Sequence, residues 1–93
     1  MLDVNEYFDG AVKSIAFKAD TLPATVGVML PGEYTFATNQ HETMTVVSGT
    51  LIVKLPDAEE WIRFQSNDSF KIEPNQRFDI KVPSDTAYLC TYG

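Results

Sequence analysis

The chain reads as an all-β domain, a sandwich or a closed barrel, and three observations predict it. Apolar and polar residues alternate in runs of strand length, turn-forming residues break those runs at regular intervals, and helical periodicity is nearly absent. About nine or ten short strands strung this way close two layers of sheet on one core. At 93 residues, 44% of them hydrophobic, residues 1–93 make one domain.

The elements follow in order. "VNEYF" ends at Asp9-Gly10, a hairpin dipeptide, and "AVKSIAF" follows. After the polar connector "KADTLP", "ATVGVML" runs into Pro31-Gly32, which suits the centre of a type II turn. "GEYTFAT", "TMTVVSG", "TLIVKL", "EWIRFQ", "DSFKIE", "RFDIKV" and "AYLCTY" complete the series. The breaks are "NQHE", Ser48-Gly49, "PDAEE", "QSND", "EPNQ" and "PSDT". "PDAEEWIRF" is the one helical candidate, a single turn opened by Asp57; it is too short to stand alone, and Trp61 to Phe64 reads better as strand. Period-two alternation puts Tyr34, Phe36 and Thr38 on one face, Phe78, Ile80 and Val82 on another, and Tyr88, Cys90 and Tyr92 on a third.

Thirteen acidic residues against seven basic ones leave a net charge of -6, a surface that repels nucleic-acid polymers and anionic membranes. The N-terminal "MLDVNEYFDG" has no signal-peptide core, and no window reaches the ~20 apolar residues of a membrane helix. One cysteine, Cys90, rules out an internal disulfide and a Cys-based zinc site. A cytoplasmic enzyme or binding domain is the expectation. A chain of this size buries only about 60–65% of its unfolded surface, so pairing with a second copy would add stability.

One stretch carries more. "PGEYTFATNQHETMTVVSG", residues 31–49, has the outline of a metal-binding cupin motif, with its Pro-Gly turn, glutamate and closing glycine. Where that motif places two histidines ahead of the glutamate, this chain has Phe36 and Thr38. The second motif, a glycine, a proline and a histidine, is altered too: Asn67 or Asp68, then Glu73-Pro74, then Phe78 or Asp79. Together with "NEYFDG", "VKSI", "VGVMLPGEYTF", "ETMTVVSG", "SFKIEPNQRFDIKV" and "YLCTY", in that order, the chain resembles the pyrimidine/purine nucleoside phosphorylase family almost end to end. The resemblance implies a cupin-type double-stranded β-helix, or jelly-roll barrel, and a homodimer. It also implies phosphorolysis of purine and pyrimidine nucleosides to free base and ribose 1-phosphate, with inorganic phosphate as cosubstrate and no cofactor.

A catalytic transition-metal site takes about three protein ligands, and the chain has one histidine, His41, in the polar turn "TNQHE". Its neighbour Glu42 points to the opposite face, so no metal site is expected and a metal-dependent cupin oxygenase is disfavoured. Phe36 and Phe78, with Tyr34, Thr38, Met44 and Tyr88 beside them, either fill a hydrophobic core or form a face for a flat nucleobase. Glu42 is either a solvated strand-edge carboxylate or a catalytic one, holding ribose hydroxyls and stabilising an oxocarbenium-like state. For phosphate the candidates are Lys13 and Arg77, helped by hydroxyls such as Thr38, Thr45 and Ser48; strand parity with an inward Phe78 puts Arg77 outside. Cys90 reads as a small buried apolar residue. The alternative function is a non-catalytic module that binds a small aromatic or sugar-like ligand.

Overall fold

The computed structural model describes residues 1–93 and contains ten strands and no helix. They are β1 (Val4–Tyr7), β2 (Val12–Lys18), β3 (Pro23–Met29), β4 (Gly32–Ala37), β5 (Glu42–Ser48), β6 (Thr50–Lys54), β7 (Ile62–Gln65), β8 (Ser69–Ile72), β9 (Arg77–Val82) and β10 (Thr86–Tyr92). All pairings are antiparallel, in a six-stranded sheet of order β1-β2-β3-β10-β5-β8 and a four-stranded sheet of order β4-β9-β6-β7. The fold class is the expected all-β barrel. No helix is long and apolar enough to cross a membrane.

Alternation decides which side chains meet between the layers. The six-stranded sheet sends in Val12, Met29, Met44, Val46, Phe70, Ile72, Tyr88 and Cys90, and the four-stranded sheet answers with Tyr34, Leu51, Val53, Phe78, Ile80 and Val82. Burying an aliphatic or aromatic side chain of this kind stabilises the fold by about 1.5–3 kcal/mol.

Two local expectations change. Gly32 has φ +158°, extended and already part of β4, where a type II turn would need φ near +80°. The chain crosses between sheets at Pro31 instead of reversing tightly, because β3 and β4 belong to different sheets. "PDAEE" forms turns with no helical turn, and Asp57 sits at φ +61°. The β1–β2 hairpin turns through Phe8 at φ +53° and Asp9 at φ +56°, closed by Gly10 N–H donating to Tyr7 O at 3.1 Å.

Candidate active site

A cavity of about 140 Å³ opens between the sheets at one end of the barrel. Its floor is made of buried residues: Ser14 of β2, Met29 of β3, Met44 of β5, Phe78 of β9, and Tyr88 and Cys90 of β10. Its mouth is made of Tyr7, Phe36, Ala37, Glu42 and Tyr92, all half-buried or exposed. No lysine or arginine lines it.

The two sides differ in chemistry because different sheets supply them. Phe36 and Phe78 are direct cross-strand partners of β4 and β9, with ring centroids 5.8 Å apart and planes within 27°. That pair makes an apolar aromatic wall, extended on the outside by Phe8, which meets Phe36 edge-on at 5.5 Å. Facing it, β2, β5 and β10 present Ser14, Tyr88, Cys90, Tyr92 and Glu42. A β-bulge helps to shape this polar side: the β10–β5 register shifts between Ala87 and Tyr88, so Val47 has no partner on β10.

Burial dominates the electrostatics. It raises the Glu42 carboxyl above its ordinary value, and the hydrogen bond from Cys90 opposes that only in part. The same burial, reinforced by the neighbouring Glu42 charge, pushes the Cys90 thiol up to about 12. Tyr88 is likewise pushed up to about 12, against a hydrogen bond with Ser14, and Tyr92 is raised against one with Thr25. Tyr92 Oη and Thr25 Oγ1 lie 3.0 Å apart. The polar side therefore holds neutral hydroxyls and a thiol, with one carboxyl whose pKa burial raises.

The structure brings four of the sequence candidates together at this cavity: Glu42, Phe36, Phe78 and Tyr88. It puts Tyr34 and Thr38 elsewhere. The Tyr34 hydroxyl donates to Leu30 O at 2.6 Å, and the ring packs on Phe8 at 4.9 Å. Thr38 Oγ1 donates to Glu73 O at 2.7 Å and accepts from Gln76 N–H at 3.1 Å, a buried cross-link that leaves its hydroxyl occupied. Lys13 and Arg77 both project away from the cavity. Lys13 alternates with the inward Val12 and Ser14 and pairs with Glu6 at 3.2 Å; Arg77 precedes the inward Phe78. His41 is partly buried, with Nε2 3.6 Å from Glu73 Oε1. No three His, Cys, Asp or Glu side chains gather where they could hold an ion.

Sequence reading missed Tyr7, Ser14 and Met29. Tyr7 and Ser14 come from the N-terminal hairpin, and only the β1-β2-β3-β10 strand order brings that hairpin over the cavity. Inward parity of Ser14 between Lys13 and Ile15 was the available signal.

The two packed antiparallel sheets form a cupin-type jelly-roll barrel, with an aromatic wall and a hydroxyl-bearing wall facing each other across its cavity. The barrel is similar to a crystal structure of an RmlC-like cupin from Shewanella frigidimarina, with TM-score 0.76 at 20% identity over 98% of this chain and 82% of that one, a likeness of fold alone. The description "Pyrimidine/purine nucleoside phosphorylase" matches residues 2–92, and the chain belongs to that family. A protein of that name from Hahella chejuensis is 68% identical over 93 residues, covering 100% of both chains. The crystal structure of a protein of unknown function from Vibrio parahaemolyticus is similar at TM-score 0.95 and 46% identity, covering 100% of this chain and 99% of that one.

Proposed function

We propose that this chain is a nucleoside phosphorylase that splits purine and pyrimidine ribonucleosides with inorganic phosphate, without a metal or other cofactor. The observation that carries the reading is the two-faced cavity, a stacked phenylalanine pair opposite a hydroxyl wall with Glu42 at the rim; the family name supports it. A dry apolar cavity of about 150 Å³ takes a single benzene ring. A cavity of about 140 Å³ thus suits the six-membered ring of a pyrimidine or purine, with the purine's five-membered ring and the attached sugar toward the mouth. The base enters against Phe36 and Phe78, where stacking contributes roughly 1–3 kcal/mol whatever the base. The ribose stays at the mouth beside Glu42.

In the reaction a phosphate oxygen bonds to C1′ of the ribose as the C1′–N bond breaks. The base leaves with that electron pair and gains the proton that hydrogen phosphate gives up as its oxygen bonds to C1′, carried through water at the mouth. Positive charge grows on the ribose meanwhile, and the ionised form of Glu42 stabilises it from the rim. Phosphate, an anion, reaches the same rim from solvent, since the cavity lining carries no cation of its own.

The homodimer is part of the proposal. Ile15, Val26 and Leu89 lie side by side on the outer face of the six-stranded sheet, with Phe17 and Val28 beside them. Ile15, Phe17, Val26 and Val28 are 37–48% exposed, a contiguous apolar patch of the kind a second copy covers. Light scattering should return twice the chain mass.

The test of function is base release from uridine and inosine, followed by chromatography with and without phosphate. Release that requires phosphate supports the reading. Release without phosphate would mean hydrolysis, and no release with any nucleoside would favour the binding module.

A further inference from the structure

We infer that Tyr88, supported by Ser14, hydrogen-bonds the distal edge of the inserted nucleobase and lets the site accept both keto and amino bases. This rests on the phosphorylase reading. Ser14 and Tyr88 line the cavity floor at 3% and 5% exposure, so their hydroxyls have little access to water. Ser14, Gly27 and Tyr88 form one row across β2, β3 and β10. Gly27 has no side chain to intervene, and a Cβ there would stand 2.7 Å from Tyr88 Oη and 2.6 Å from Lys13 O. The phenol therefore lies across β3, its hydroxyl over Gly27 and directed toward Ser14, the next residue in the row. On its other side, Ser14 Oγ accepts from Asn5 Nδ2 at 3.4 Å.

This arrangement serves bases of opposite polarity. If Ser14 donates to Tyr88, the phenolic proton turns toward the cavity and meets a keto oxygen, as on uracil or hypoxanthine. If Tyr88 donates to Ser14, phenolic lone pairs face the cavity and meet an amino group, as on cytosine or adenine. A fixed amide or a charged group would favour one class. A reversible hydroxyl pair favours neither, and this gives the tolerance named in "pyrimidine/purine" a physical basis.

The experiment compares kcat/KM for uridine, cytidine and 2-pyrimidinone riboside, which lacks the 4-substituent, with phosphate present, in the wild type, Tyr88→Phe and Ser14→Ala. Tyr88→Phe should lose about tenfold on uridine and cytidine and keep its rate on 2-pyrimidinone riboside, since only the edge contact is gone. Ser14→Ala should show the same pattern at about threefold, and carries the test if Tyr88→Phe fails to fold. An equal loss on all three substrates would make Tyr88 a packing residue and overturn the inference while leaving the phosphorylase reading intact. If the wild type releases base from none of the three, that reading fails. Calorimetric binding of uracil, cytosine and 2-hydroxypyrimidine then applies the same comparison, and binding that ignores the substitutions, or no binding at all, overturns the inference.

Discussion

The Cys90 thiol donates to Glu42 Oε1 over 3.5 Å, diagonally and two residues off register, because Glu42 faces Tyr92 across the β5–β10 pair and Cys90 faces Met44. A thiol is a weak donor, and no lysine or arginine lines the cavity to replace it. The carboxyl is left with burial as its main influence and a raised pKa.

Stability should carry the mark of that shift. A carboxyl whose folded pKa lies above its unfolded value of 4.5 contributes stability fully below that value, and the contribution is lost as pH rises through the folded pKa. Glu42→Gln removes the titration. The melting temperature of the wild type minus that of Glu42→Gln should therefore fall as pH rises above the unfolded value of 4.5 and level off once the folded carboxyl is ionised. A difference that stays flat as pH rises contradicts a Glu42 carboxyl raised by burial.

Turnover should respond in kcat more than in KM. Glu42 at the rim acts on charge that develops during bond breaking, so Glu42→Gln should lower kcat about tenfold or more while nucleoside KM moves little. Unchanged kcat returns Glu42 to a purely structural role.

Cys90 should be chemically silent in the folded protein. The thiol is 2% exposed and pushed up to about 12, and the thiolate is the form that reacts. Mass spectrometry after iodoacetamide at about pH 8 should find Cys90 unmodified natively and alkylated in guanidinium. Rapid native alkylation would show that the cavity opens far enough to ionise it.

The sheet architecture was largely legible in the chain because alternation and turn residues are local signals. Every proposed run became a strand, and the inward parity of Phe36, Phe78 and Tyr88 survived into the barrel. The motif spacing also brought Phe36 and Phe78 into direct pairing. What sequence could not supply was which inward residues reach an open space and which are consumed by packing. Tyr34 and Thr38 share the Phe36 face, yet their hydroxyls are taken by Leu30 O and Glu73 O, backbone acceptors that only the tertiary fold brings near. Ser14 and Tyr7 belong to the site through strand order, which no run of residues announces.

Gly49 tests the frame that carries β10. It sits at φ +103°, and a Cβ there would run into Thr86 Oγ1, a fully buried hydroxyl that accepts from Thr50 N–H at 3.1 Å. Gly49→Ala should destabilise the fold by about 1–3 kcal/mol, read as a lower urea midpoint with unchanged m-value. A midpoint equal to the wild type would show that the β5–β6 turn relaxes freely.

The most direct measurement is an NMR experiment with uracil bound to the protein, reading Overhauser contacts from the base H5 and H6 protons. Contacts to the ring protons of Phe36 and Phe78 are the expected result, with loss of both contacts and affinity in Phe78→Leu. Contacts only to an outer residue such as Trp61, or binding indifferent to Phe78→Leu, would contradict the claim that the barrel cavity holds the base.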